Sequence, residues 1–573
     1  MQDCSTGQIL FYSTNAGAVI NHAIGNLTSG GTIFIKAGTY TFTTAPIIFG
    51  SQEAAIGSTS INNIELYGEG NATILSAGTN LNAGIIGVYG VKNWYIHDLQ
   101  IDGNRANQNN KGNGNTPLVG IDIFFGSNNV IEHCFVHDDK TYGIQAWDTG
   151  SLKILNNWII NNNANGILTS GGSDILVQGN MVNGASDVGI SMGGSKDQTA
   201  YSLTCEDNTV ENVNLGISPF GTLTGVGIYI GDMGAVTQAT VIGNVVFDIS
   251  DEGIFTSATF YNQDLTIANN VIYDSVVGLS IGKGSDTTIT GNVISNIYSA
   301  TSGLAGVTIS DTASTLTFSG NTIRDVTTPN GYGITDSSPN SVIEDNIIDG
   351  TQKFGITAYN ANGITISGNR LTNPDEVGNY AGYGVDLHGS SSYCTVSNNV
   401  ISLYDPSTDW AILVENTASY NQITDNTFVN TGRAVNINNG ANNVANQITG
   451  NNILAKAGRN MIINNSTIAE NNTGYNPIGN ITNPVFAGGS GSGDGTWISP
   501  MGTSHTLAAS TTYTDTIAPV TITIYTCGGA TISINSGPAF TPTDGESLTL
   551  YPGDTINFGA FGSSTPTVQF VFQ

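Results

Sequence analysis

Positive charge is scarce in this chain. Its 573 residues carry 14 Lys plus Arg against 43 Asp plus Glu, a formal net charge of −29. Such a surface repels phosphate backbones and anionic headgroups, which excludes nucleic acid and membrane insertion as modes of partnership. A strongly anionic polysaccharide would need a local basic site. Long apolar runs are missing as well, so no segment reaches the ~20 residues of a membrane-spanning helix. Met1-Gln2-Asp3-Cys4 does not open as a signal peptide. The expectation is an extracellular or cell-surface protein whose export signal is absent from this sequence. Cysteine is limited to Cys4, Cys134, Cys205, Cys394 and Cys527, odd in number and without Cys-x-x-Cys spacing. That excludes a disulfide framework and a zinc ribbon, and Cys205 and Cys394 fall at apolar strand positions, as core thiols do.

Glycine is abundant, with 73 residues, and Asn, Thr and Ser supply most of the polar character. A pattern of alternating apolar residues, a Gly or polar residue, then Asn-x-Ile/Val recurs at Asp98, His133, Asn157, Asn180, Asn208, Asn244, Asn270, Asn292, Asn321, Asn346, Asn369, Asn399, Asn426, Asn451 and Asn471. Between these positions lies a second anchor, Gly followed by Ile, as in Gly143-Ile144, Gly166-Ile167, Gly189-Ile190, Gly227-Ile228, Gly253-Ile254, Gly333-Ile334 and Gly355-Ile356. Short strands of period two, punctuated by Gly and Asn with no helical crossover between them, predict a solenoid. Stacked rungs at about 4.8 Å let Ile and Val fill a continuous core, while Asn at a bend tolerates left-handed backbone and bonds to its copy on the next coil. The fold class is therefore all-β: a right-handed parallel β-helix of about 15 or more coils. His133, on this series, is expected to substitute for a ladder Asn.

Residues 14–27 are the one amphipathic helical stretch and are expected to cap the first coil. The domain reading is 1–485 for the capped β-helix, 486–496 for a Gly/Ser linker and 497–573 for a small β-sandwich. The last rests on alternating strands at 520–526, 530–535, 547–551 and 568–572.

The order of helix, GGTIFIKAGTY (residues 30–40), IELYGEG (64–70) and IHDLQIDGNRANQ (96–108) resembles the start of the pectate-lyase-like superfamily. That group includes polysaccharide lyases, glycoside hydrolases, epimerases and phage tailspikes. The resemblance runs over roughly residues 5–475 and implies the fold together with a role on polysaccharide. The polygalacturonase set of Asn-Thr-Asp, Asp-Asp, Gly-His-Gly and Arg-Ile-Lys is not intact here; Leu387-His388-Gly389 is a fragment of it. The Arg-rich face of calcium-dependent pectate lyases is absent too, with Arg only at 105, 324, 370, 433 and 459.

Three clusters have residues suited to chemistry. The first comprises Arg105, Asp122, His137, Asp138, Lys140, Gln145, Trp147 and Asp148. Lys, Arg or His neutralise a uronate and remove its α-proton in a lyase, and Trp147 offers a sugar platform. The second is measured from the Gly-Ile anchor: Asp187 and Asp251 fall in one column two coils apart, about 9.6 Å, near the ~6.5–9.5 Å of inverting glycosidases. Glu252, Tyr229 and Asp232 lie beside them. Calcium held by Asp187, Asp232 and Asp251 fits the same set. The third comprises Tyr383, Asp386, His388, Tyr393, Asp409, Trp410 and Glu415, where aromatic density suits sugar stacking. Each cluster also fits a bland reading, as a solvated turn, a solubilising acidic face or loop packing.

Two functions stand beside each other. One is an extracellular protein that cleaves or binds a polysaccharide in a surface groove, with His137, Asp138, Lys140, Asp187, Asp251 and Glu252 as catalytic candidates and Arg105, Asp122, Trp147 and Tyr229 contacting the glycan. The other is a non-catalytic spike, sheath or filament subunit, self-associating through rod ends or the C-terminal β-sandwich.

Overall fold

The computed structural model describes residues 1–454, apart from 44–46, 50–60, 110–117, 197, 215–224, 302, 373–381, 404–408, 430–432 and 438–444; beyond 454 it describes strand backbones only. The chain divides into two compact units, residues 1–342 and 343–573. The architecture is all-β, a right-handed parallel β-helix of about 13 turns with little helix. That is fewer than the fifteen or more expected; Asn471, the last of the predicted series, lies outside the described residues.

Each turn contributes a strand to three parallel stacks. One follows the Gly anchor, as in Ile121–Phe124, Ile144–Trp147 and Ile167–Ser170, paired in register. A second leads into the Asn bend (Val130–Glu132, Lys153–Leu155) and a third leaves it (Phe135–His137, Trp158–Ile160). Period two places Ile121, Ile144, Ile167, Ile190, Ile228 and Ile254 inward at 0% exposure. They form one aliphatic column in which truncation to Ala costs ~2–5 kcal/mol.

The Gly anchor answers to space rather than to backbone sign. A Cβ on Gly166 would lie 2.4 Å from Val182 and 2.8 Å from the Gly189 carbonyl; on Gly227 it would lie 2.4 Å from Val246 and 2.5 Å from the Gly253 carbonyl. The bend has two residues. The first adopts left-handed backbone and is Asn, Asp, Gly or His, for example Asn156 (φ 53°), Gly179 (φ 65°) and Asp207 (φ 53°). The second is the ladder Asn. In the first unit the N–H and Nδ2 of Asn157 both donate to Asn180 Oδ1 at 3.0 Å, and Nδ2 also reaches the Ile131 carbonyl at 3.1 Å. The pattern repeats through Asn208, Asn244, Asn270 and Asn292. In the second unit it runs from Asn346 through Asn369, Asn399 and Asn426 to Asn451.

Two members of the predicted series are corrected. Glu132 pairs with Leu155, so His133 is level with Asn156, and Cys134 is level with Asn157, to whose Oδ1 it donates at 2.9 Å. His133 (φ 51°) and Asp98 (φ 50°) therefore hold the left-handed position, and the His133 side chain is exposed rather than part of the ladder. Cys134 and Cys205 are buried free thiols, and Cys394 is buried as well. Burial pushes the Cys134 and Cys205 thiols up to about 12.

A helix spans Ala16–Asn26, capped by Asn15, whose side chain accepts from the Ala18 N–H at 3.0 Å; Gly17, Ile20, Ala23 and Ile24 are buried. In the second unit, Ser504–Thr506, Thr567–Phe572, Val520–Thr526 and Glu546–Leu550 form a four-stranded sheet in that order, and Thr511–Thr514, Thr555–Phe558 and Ile532–Ile534 a three-stranded one. Both are antiparallel. The predicted linker at 486–496 lies outside the described residues. No helix among the described residues is long and apolar enough to cross a membrane.

Candidate functional site

On the Gly-anchored stack the residues two and four after the Gly face outward, since those between them face the core. This rule places Asp122, Gln145 and Tyr229 at the first outward position and Phe124 and Trp147 at the second, with Tyr89 level with Phe124. In the second unit it places Thr357 and Asp386 at the first position and Tyr359 and His388 at the second.

In the first unit the outward face is acidic and aromatic. The Tyr89 hydroxyl donates to Asp122 Oδ2 at 3.2 Å, and burial raises the Asp122 carboxyl to about 8. Tyr89, Phe124 and Trp147 form a ring series with centroids 5.4 and 6.1 Å apart. Further along, Ser191 donates to Asp232 Oδ2 at 2.7 Å, and burial, opposed by that bond and helped by the charge of Asp187, raises Asp232. Register places Asp187, Gly225 and Asp251 on successive rungs, with the Val226 N–H on the Asp187 carbonyl at 3.1 Å and the Asp251 N–H on the Gly225 carbonyl at 3.2 Å. Burial and then the charge of Asp251 lift Glu252 to about 7. Tyr229 is raised by burial and feels Asp232, Glu252 and Asp187. These four carboxyls thus share one neighbourhood with Tyr229. The oxygens of Asp187, Asp232 and Asp251 are not gathered within 4.8 Å of one another, however, so the expected three-carboxylate calcium set does not converge here.

The first predicted cluster is divided between two faces. Asp122, Gln145 and Trp147 stand on the Gly-anchored stack, whereas His137 ends Phe135–His137 on the third stack. His137 Nδ1 lies 2.9 Å from Asp138 Oδ2 and its Nε2 2.9 Å from Gln100. Arg105 donates to the carbonyl and side-chain oxygen of Asn161, both at 2.9 Å, and Asn161 also donates to Asp138. Arg105 is therefore committed to a turn rather than presented beside Asp122. Lys140 is half-buried in the turn between the two strands. Asp102, His137 and Asp138 do gather within 4.8 Å, but Asp102 already accepts from Ser76 and from the Asn104 N–H.

The second unit assembles a tighter group. Thr357 pairs with Asp386 and Tyr359 with His388 on neighbouring strands, Phe354–Tyr359 and Tyr383–His388. The Tyr359 and His388 rings stack at 5.1 Å and 13°. His388 Nδ1 contacts Glu415 Oε1 closely and lies 3.7 Å from Asp386 Oδ2; its Nε2 is 3.4 Å from the Asn416 amide nitrogen. A carboxylate on Nδ1 selects the Nδ1–H tautomer, so Nε2 carries the lone pair and accepts from the Asn416 amide. The Asp386 side chain is 2% exposed, and its Oδ1 has no hydrogen-bond partner. Burial, then the charge of Glu415, holds its carboxyl well above the usual range, while the Lys353 ammonium opposes this. Lys353 also sits 4.8 Å over the Phe354 ring. Of the other expected members, Tyr393 is exposed and stacks on Tyr420, and Asp409 is buried and accepts the Gly382 N–H at 2.9 Å; both serve local structure. Lys353, Thr357 and Tyr359 were not among the sequence candidates, although Thr357 and Tyr359 follow Gly355 by the same two and four positions as Asp386 and His388 follow Gly384.

The chain belongs to the right-handed β-helix family: the family profile described as "Right handed beta helix region" matches residues 47–201 and 258–401, just over half of the sequence. No curated protein matches it in sequence. Among solved structures it is similar to the tailspike protein of E. coli bacteriophage HK620 in complex with a pentasaccharide, at 14% identity over 100% of this chain and 92% of that one, with a TM-score of 0.42. The A-module of an Azotobacter vinelandii mannuronan C-5 epimerase matches at 14% identity over 74% and 94%, with a TM-score of 0.30. The catalytic unit of a Streptomyces thermodiastaticus α-1,3-glucanase matches at 14% over 81% and 68%, with a TM-score of 0.31. None of these likenesses bears on activity.

Proposed function

We propose that this is an extracellular polysaccharide-active β-helix protein that abstracts the proton α to a uronate carboxylate, with its centre at Asp386, His388 and Glu415. The observation that carries the reading is the buried Asp386, with an unpartnered oxygen, beside a histidine oriented by a second carboxylate. A carboxyl kept neutral by burial donates a hydrogen bond to an anionic substrate group, and Lys353 supplies the local positive charge that an otherwise acidic surface lacks. The imidazole, its Nδ1–H held by Glu415, presents Nε2 as base. In an elimination, Nε2 takes the C5 proton, the released pair forms the C4–C5 double bond, and the C4–O bond breaks. The leaving oxygen then recovers a proton from the imidazolium.

The test is incubation of the full chain with polymannuronate, polyguluronate and polygalacturonate in deuterated water. The ultraviolet absorbance of unsaturated uronate and deuterium at C5 are both read. Neither signal on any of the three polymers would sink the proposal.

A hydrolytic reading has one observation in its favour, the Glu252 carboxyl near 7 beside Asp251. Glu252 would act as general acid and Asp187, about two rungs or ~9.6 Å away, would activate water, giving inversion. Asp232 and Tyr229 would line the same path. In either reading the helix Ala16–Asn26 covers the first coil, and the C-terminal strands pack as a β-sandwich that caps the rod or joins copies of it.

A further inference from the structure

We propose that the outer face of the first unit carries a binding site for a neutral sugar residue, built by Asp122, Gln145 and Trp147 beside the rings of Tyr89 and Phe124. It is independent of the uronate chemistry assigned to the second unit.

Asp122 and Gln145 are direct neighbours on adjacent rungs, and Phe124 and Trp147 are the next such pair. Asp122 and Gln145 are each only 4% exposed. Even so, Asp122 Oδ1, Gln145 Oε1 and Trp147 Nε1 have no hydrogen-bond partner. Stranding a buried polar atom costs ~1–3 kcal/mol, and folded proteins seldom tolerate it. Three such atoms on two adjacent coils point to an occupant that supplies the missing bonds.

The chemistry of that occupant follows from what the atoms offer. Burial keeps the Asp122 carboxyl protonated near neutral pH, and Tyr89 already bonds its Oδ2, so Oδ1 is free to donate. The Trp147 indole donates and the Gln145 carbonyl accepts. Two donors and an acceptor set beside a ring series match a pyranose, whose hydroxyls do both and whose C–H face lies on aromatic surface. Phe124 and Trp147 are half-buried, so the rings open to solvent. An apolar ligand would leave the three atoms unpaired. A uronate or phosphate would instead meet carboxylates, since the charges felt at nearby Tyr142 include those of Asp232 and Asp187.

The full chain is presented to an array of neutral and uronate-bearing glycans, and the affinity for any retained glycan is then measured by isothermal titration calorimetry. The expected result is retention by neutral glycans, weakened about tenfold or more in Gln145→Leu and in Trp147→Phe and unchanged in His388→Gln. Gln145→Leu should also melt at the same or a higher temperature without ligand, because it removes an unsatisfied acceptor. Retention by uronate glycans alone, no retention, or affinities within about twofold of the parent in both variants would overturn the proposal, as would destabilisation by Gln145→Leu. Uronate turnover is read separately, so failure here and failure at His388 remain distinct.

Discussion

Asp122 in the first unit and Asp386 in the second occupy the same place in the repeat, two residues after the Gly anchor. Both are buried, both are held above the ordinary carboxylate range by that burial, and both leave Oδ1 without a partner. What differs is the company. Asp122 has a tyrosine hydroxyl, a glutamine on the next rung and an aromatic series. Asp386 has a histidine, a glutamate and a lysine within electrostatic reach. The scaffold thus supplies a desolvated acid in both places, and the residue four after the Gly, aromatic in one unit and His388 in the other, decides what that acid can be used for.

The comparison breaks most sharply at His388. His388→Gln should lower uronate turnover by ~10²–10⁴-fold with an unchanged melting temperature; a loss of less than about tenfold would reduce the second site to the status of the first. Next in size is the frame common to both units. Asn270→Ala in the first and Asn399→Ala in the second each strand the backbone N–H of the preceding ladder Asn, whose Nδ2 keeps other carbonyl acceptors. Each should cost ~1–3 kcal/mol per stranded group by denaturant unfolding. A large cost in one unit and none in the other would mean that the ladder is not equivalent in the two.

The buried acids sharpen the contrast by pH. Asp122 at about 8, Glu252 at about 7 and Asp336 at about 6 lie above their ordinary values. Through these groups the folded chain binds more protons than the unfolded chain, so the stability they contribute is fully present below about pH 4 and is lost as pH rises through these values. Asp122→Asn should shrink the drop in melting temperature between about pH 5 and 8 by several degrees, and an unchanged drop would show that Asp122 is ionised in the fold. The smallest effect is expected from Tyr359→Leu. Losing the ring stacked on His388, worth ~0.5–1.5 kcal/mol, should reduce turnover only a few-fold; a loss as large as that of His388→Gln would make the tyrosine a participant.

Much of this was legible in the residues. Gly-Ile and Asn-x-Ile predicted the stacks because each marks a position where only one kind of side chain fits, as the 2.4 Å approach to Val182 at Gly166 makes plain. The bend was harder. His133 and Asp98 resemble ladder residues in type, yet a left-handed residue and a ladder residue sit next to each other and both favour small polar side chains, so the early turns were displaced by one. The grouping of Arg105 and His137 with Asp122 failed for another reason: nearness in sequence joined residues that a single turn sends to different faces. Counting two and four from each Gly would have found Phe124, Thr357 and Tyr359. Lys353 carries no such mark, and only the fold brings it to Asp386.

The two-residue bend has a consequence for how such a molecule changes. Because the ladder asparagines from Asn157 to Asn292 and from Asn346 to Asn426 hand their backbone N–H to an identical neighbour, a whole turn can be duplicated or lost and the hydrogen bonds on either side still find their mates. Length is then free to drift by copying, and new chemistry needs only two outward letters rewritten on a turn that already packs. A single inserted residue between glycine and bend has no such licence, since it would turn the outward side chains of that coil into the core.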